Sequence, residues 1–191
     1  MNIPFITDQT YSGQDYTKTR LPKAEYDHCT FRNCIFTDAD ITNTSFIECQ
    51  FIVCDLSNAK LKESTISATN FKDCKLMGIQ FQDCNSFLLS FSFDHCTLNF
   101  SSFYQLKLRN SIFDTCKMIQ ADFTEADLTA SSFQNCNLEQ AVFEHSILEK
   151  TDFRTAYNFN INPEVNRLKK AKFSQHHLGN LLKQYNLDIT A

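Results

Sequence analysis

Every fifth residue of this chain is large and apolar, a spacing that fits neither a helix nor an ordinary strand. From Tyr26 the series runs Phe31, Phe36, Ile41, Phe46, Phe51, Leu56, Leu61, Ile66, Phe71, Leu76, Phe81. A second series runs Leu88, Phe93, Leu98, Phe103, Leu108, Phe113, Met118, Phe123, Leu128, Phe133, Leu138, Phe143, Leu148, Phe153. Phe81 and Leu88 are seven residues apart, so two extra residues enter there. A helix repeats at about 3.6 residues and a strand at about 2, so a long run at five points to a solenoid. With 191 residues, the chain suits one domain with small appendages.

The residue two places before each centre is almost always small, as at Ala24, Cys29, Cys34, Ala39 and Thr44. Ile79, Phe91 and Leu106 depart from the rule, and the first two bracket the insertion. All 9 cysteines, Cys84 included, stand in this slot. None forms a C-x-x-C pair, so zinc or redox chemistry lacks its short converging loops. The slot asks for a small side chain that tolerates burial. Cysteines twenty residues apart could still come close enough to bond. The N-terminus has neither the basic flank nor the apolar run of a signal peptide. No stretch reaches the roughly 18 apolar residues of a membrane span. The expected location is cytoplasmic, where thiols stay reduced, with no membrane partner. Only 3 Gly and 3 Pro are present, so the repeat must make its own turns.

The unit of a small residue, a polar residue, Phe or Leu and two polar residues resembles the pentapeptide-repeat family. The stretch ADFTEADLTASSFQNCNLEQAVF at 121–143 matches its style closely. The resemblance covers residues 24–157 and implies an all-β solenoid, a right-handed quadrilateral β-helix with four pentapeptides per coil. Centres and small residues then point inward, and the other three positions face solvent. Four sides predict columns twenty residues apart, provided the two extra residues bulge outward near 82–92 without turning the coil. One column then reads Phe31, Phe51, Phe71, Phe93, Phe113, Phe133 and Phe153, a structural core made only of Phe. The opposite column reads Ile41, Leu61, Phe81, Phe103, Phe123 and Phe143, and the other two are mostly aliphatic. Coils about 4.8 Å apart let such rings stack with an offset.

The ends depart from this pattern. Residues 1–23 read as an N-terminal cap, a short strand or extended segment over the first coil, with Tyr11, Tyr16 and Leu21 keeping the period weakly. Residues 158–191 read as a C-terminal helical capping or dimerisation segment. Asn162 is placed as an N-cap with Pro163 at the first helical position. Ser174 is placed to cap a second helix, with Phe173 as its hydrophobic staple. Leu178, Leu181, Leu182 and Tyr185 then form one apolar stripe, extended by Ile189. That stripe caps the rod or also joins a twin across a two-fold axis.

Nothing in the sequence calls for catalysis, a metal or a cofactor. The nucleophile-elbow, zinc-protease and phosphate-loop motifs are missing, and His28, His95 and His145 fall in different columns. Charge says more. Residues 24–157 hold 18 acidic and 10 basic side chains, while both ends are basic. The acid gathers late, at Asp122, Glu125, Asp127, Glu139, Glu144, Glu149 and Asp152. It is either a solvated face or a strip that occupies a basic groove made for DNA. The length, the mid-chain interruption and the tail NPEVNRLKKAKFS…LLKQYNLDI resemble the topoisomerase-protecting branch of the family, which includes Qnr-type quinolone resistance and albicidin- or microcin-immunity proteins. That resemblance implies a dimeric, DNA-mimicking protein that binds and protects DNA gyrase or topoisomerase IV. Mild overall acidity argues against direct nucleic-acid binding. The mimic is dilute, because a duplex carries one charge per about 1.7 Å. The bulge residues Phe87, Leu89 and Phe91 either add a contact or repack locally. The alternative is a non-catalytic scaffold of the same fold that binds another protein.

Overall fold

The computed structural model describes residues 3–188, and they wind into a parallel four-sided β-solenoid. Its first face carries the sheet β1 (Phe5–Thr7), β3 (Glu25–Asp27), β5 (Ser45–Ile47) and β7 (Thr65–Ser67). Its second face stacks β2 (Thr10–Ser12), β4 (Thr30–Arg32), β6 (Gln50–Ile52), β8 (Thr69–Lys72), β9 (Phe91–Asp94), β10 (Ile112–Asp114) and β11 (Ser132–Gln134). The third and fourth faces are held by isolated parallel bridges such as Ile35↔Asp55 and Ser102↔Asp122. Phe31 lies opposite Phe51 and Phe51 opposite Phe71, the register of twenty. Across the insertion Phe71 lies opposite Phe93, a register of twenty-two.

The all-Phe column forms as expected. Phe31–Phe51, Phe51–Phe71, Phe71–Phe93, Phe93–Phe113, Phe113–Phe133 and Phe133–Phe153 stack with centroids 4.8, 5.0, 5.2, 5.6, 4.8 and 5.0 Å apart. Phe81, Phe103, Phe123 and Phe143 make a second stack at 4.8–5.0 Å. The two stacks meet edge to face, for example Phe123–Phe133 at 5.6 Å and 90°. That is the geometry ring quadrupoles favour. All nine cysteines are buried and free.

Turns come from a feature that composition hides. The residue two places after a centre sits at positive φ, as at Asn33, Asn58, Glu125 and even the β-branched Val53 (φ 55) and Thr115 (φ 52). The next small residue closes the turn: the Ala39 N–H donates to the Phe36 carbonyl at 2.9 Å, and Ala126 to Phe123 at 3.0 Å. Such a conformation costs a non-glycine residue about 1–2 kcal/mol. The inter-coil ladder offsets it, since each corner also bonds along the axis, as Glu125 N–H does to the Glu144 carbonyl at 2.8 Å.

The small slot also does more than save space. Cys54 Sγ donates to the Phe31 carbonyl, Ser131 Oγ to Leu108 and Thr151 Oγ1 to Leu128, at 3.4, 2.6 and 2.7 Å. Each bond reaches back 23 residues to a centre in the coil before. Burial pushes the Cys49 and Cys84 thiols up to about 12, so they stay protonated at neutral pH.

The N-terminal end holds the expected short strand: residues 3–23 form a further coil of the solenoid, with β1 paired to β3. Ile6 pairs with Tyr26, Tyr11 stacks on Phe31 at 4.9 Å and Tyr16 on Phe36 at 4.6 Å, while Leu21 is buried. At the other end Asn162 caps only a turn, its Oδ1 accepting from the Glu164 N–H at 2.8 Å. Asn166 then fills a small slot, donating to the Phe143 carbonyl at 2.7 Å. The ladder resumes at Arg167 and Lys172, opposite Ile147 and Asp152. Phe173 is therefore not a staple; it continues the Phe column, 5.3 Å from Phe153. Among the described residues only 3-10 helix follows, at Gln175–Leu181 and Lys183–Tyr185, and Ser174 makes no side-chain cap.

Candidate protein-binding surface

A filled rod offers function through its outer surface, and three parts of that surface differ from the rest. The first is the insertion. On the first face the rung between β7 and the Lys107↔Asp127 bridge is replaced by an outward loop at 85–90. The Asn85 N–H bonds to the Ser64 carbonyl and the Ser90 N–H to the Ile66 carbonyl, so the loop leaves and rejoins the ladder against a single rung, two residues apart. Leu88, expected as an inward centre, stands out with φ 64 and 64% exposure, beside Phe87 at 73%. Phe91, expected as an exposed contact, is buried at 6%. Its ring packs 5.2 Å from Phe81 and 5.0 Å from Phe93, taking the room the missing centre leaves. Leu89 is half-buried against the same core. Of the three bulge residues, then, Phe87 alone is fully available, and Leu88 joins it.

The second part is the acidic set, which the structure does not gather into one strip. Asp122 and Glu144 lie on the fourth face and Glu125 on the corner after it, linked by the Asp122↔Val142 bridge and the Glu125–Glu144 backbone bond. Glu139 lies on the third face, Asp127 and Glu149 on the first, Asp152 on the second. Cations already compensate three of the seven: Arg109–Asp127, Arg167–Glu149 and Arg154–Asp152, each at 2.7 Å. Asp127 is also buried; Thr129 and Arg109 outweigh the burial and hold its carboxyl below the ordinary value. The carboxylates left together without a cation are Asp122, Glu125 and Glu144. Gln105, in the same corner column as Glu125, donates to its carboxylate at 2.8 Å. Tyr104 and Val142 are exposed on the adjoining fourth face.

The third part is the C-terminal segment. The expected four-residue stripe is split. Leu181 packs against the core, while Leu178, Leu182, Tyr185 and Leu187 are exposed. A 3-10 helix repeats at about three residues, so the i, i+3, i+4, i+7 stripe of an α-helix does not form on it. Tyr185 Oη donates to Glu164, tying the segment to the turn after Pro163. Ile189 lies outside the described residues. Among the described residues no cluster of His, Cys, Asp and Glu could hold a metal, and no helix is long and apolar enough to cross a membrane.

The sequence matches the family model for a pentapeptide repeat region over residues 86–181. A trypsin-treated variant of QnrB1, a plasmid-mediated fluoroquinolone resistance protein, superposes with a TM-score of 0.63 at 18% identity, over 97% of this chain and 100% of that one. A second variant of QnrB1 gives 0.61 at 16% identity over 100% of both chains. HetL, a pentapeptide repeat protein involved in heterocyst differentiation regulation in the cyanobacterium Nostoc, gives 0.32 at 17% identity over 91% of this chain and 88% of that one. No curated protein sequence matches.

Proposed function

The chain belongs to the pentapeptide-repeat family, and from that premise we propose that it is a non-catalytic, cytoplasmic rod that binds and shields DNA gyrase or topoisomerase IV from a poison. The observation that carries the reading is the one break in the rod. Phe87 and Leu88 project from an otherwise regular first face, and the uncompensated Asp122, Glu125 and Glu144 lie around the adjoining corner, two to three rungs further along the rod. An exposed apolar loop on a rigid scaffold beside a patch of one charge is the form of a protein-binding surface. The likeness of the whole rod to a fluoroquinolone resistance protein supports the choice of partner. With three of seven carboxylates already paired, shape and the loop carry more of the affinity than mimicry of duplex charge. We also propose that the exposed Leu178, Leu182 and Tyr185 join two copies.

Supercoiling by gyrase, assayed with the purified protein and a fluoroquinolone, albicidin or microcin, should recover. Absence of both binding and rescue across these poisons would discard the reading. A second reading, a scaffold for another protein, is favoured by the scatter of carboxylates over all four faces. A pull-down that returns one stable partner and no topoisomerase would establish it.

A further inference from the structure

We propose that a cleft on the edge between the first and second faces, near the C-terminal end, binds a phosphoryl group, borne by a nucleotide or a DNA strand. Three consecutive corner residues build one wall: Ala130, Lys150 and Lys170, all at positive φ. The Lys150 N–H bonds to the Lys169 carbonyl at 3.0 Å, so the corner lysines sit on neighbouring rungs, about 4.8 Å apart. Ser132, Asp152 and Lys172 build the other wall as successive bridge partners on the second face. The small side chain of Ala130 leaves the cleft open between them.

Two observations point to an anion. First, the positive charge is uncompensated. Among the described residues Lys150, Lys169 and Lys170 form no ion pair, and Lys172 reaches Asp152 only at 3.9 Å. The nearby carboxylates are already engaged, Asp152 by Arg154 and Glu149 by Arg167, both at 2.7 Å. Lysines carried on neighbouring rungs repel one another, and an oxyanion between their ammonium groups reverses the sign of that interaction. Second, Ser132 lines the cleft, and its hydroxyl lies just beneath the surface with no hydrogen-bond partner, within one side-chain rotation of the opening. A phosphoryl oxygen would accept from it. Elsewhere the same corner column holds Asp8, His28, Glu48, Ala68 and Asn110, so the basic patch is local. It fits a single phosphoryl group better than a groove along a strand. The proposal does not depend on the topoisomerase reading.

Pyrophosphate binding by calorimetry, and anisotropy of a short fluorescent DNA duplex, test it on the full chain. Lys150→Gln with Lys170→Gln should weaken pyrophosphate binding about tenfold or more, and Ser132→Ala about threefold. Glutamine already stands at positive φ in Gln105, Gln120 and Gln140, so the double variant keeps the corner geometry. Lys117→Gln, on the third face, should change nothing. If the duplex binds, pyrophosphate should displace it, and its affinity should fall with salt; displacement assigns a DNA strand as the bearer, and pyrophosphate binding alone assigns a nucleotide. Binding of neither probe, or equal binding by the folded double variant and the parent, overturns the proposal.

Discussion

Cys54 and Ser131 occupy equivalent slots and donate in the same way to a carbonyl 23 residues earlier. Sulfur is therefore replaceable there, whereas the stacked rings are not. Cys116→Ser should shift stability by less than about 1 kcal/mol, and Phe113→Ala should cost about 3–5 kcal/mol, both read from urea midpoints. Burial of the cysteines was legible from their slot in the period of five. Their donor role was not, because the accepting carbonyl comes from the coil before. His28 offers a second test. Its ring lies 3.0 Å from Asp27 and 3.1 Å from Glu48, and the Asp27 hydrogen bond and both charges raise its pKa. A folded pKa above the unfolded value of about 6.5 gives stability that is full below that pH and is lost as pH rises through the folded value. His28→Gln should flatten that dependence in urea midpoints taken on either side of neutrality. An unchanged slope would remove the ring from the account.

The loop at 85–90 shows what a period alone leaves open. Leu88 and Phe91 are both large and apolar, and either satisfies the pattern near a two-residue insertion. Which side chain turns inward depends on where the backbone leaves the ladder, and the bonds from Asn85 and Ser90 place that point before Leu88. Phe91→Ala should cost about 3–5 kcal/mol. Phe87→Ser with Leu88→Ser should stay within about 0.5 kcal/mol of the parent while weakening partner capture. Loss of stability in the second variant would return the loop to a packing role. The turn after Asn162 teaches a related point. Its capping signal is real, since the side chain does accept from the Glu164 N–H. The ladder nevertheless recaptures the chain within a few residues, because Asn166 and Phe173 complete slots already prepared by Ser146 and Phe153.

Two surfaces decide how the molecule meets others. Replacing Leu178, Leu182 and Tyr185 by Asp should leave a folded monomer in sedimentation if these exposed side chains join two copies; an unchanged mass would reject that contact. Reversing Asp122, Glu125 and Glu144 to Lys should weaken partner binding by about tenfold, in a salt-dependent manner. Asp127 is left out of that set, because it is buried against Arg109 and its reversal would test folding instead. The sequence by itself determined a solenoid with a period of five, and the family resemblance it carries supplied the four sides and so the stacked rings. The repeat dictates which side chains face inward wherever it runs unbroken. The tertiary structure alone decided which carboxylates remain uncompensated, which ring fills the insertion and where lysines stack without partners. These depend on what lies one coil away, some twenty residues off in sequence, and on how far the chain departs from its period at each end.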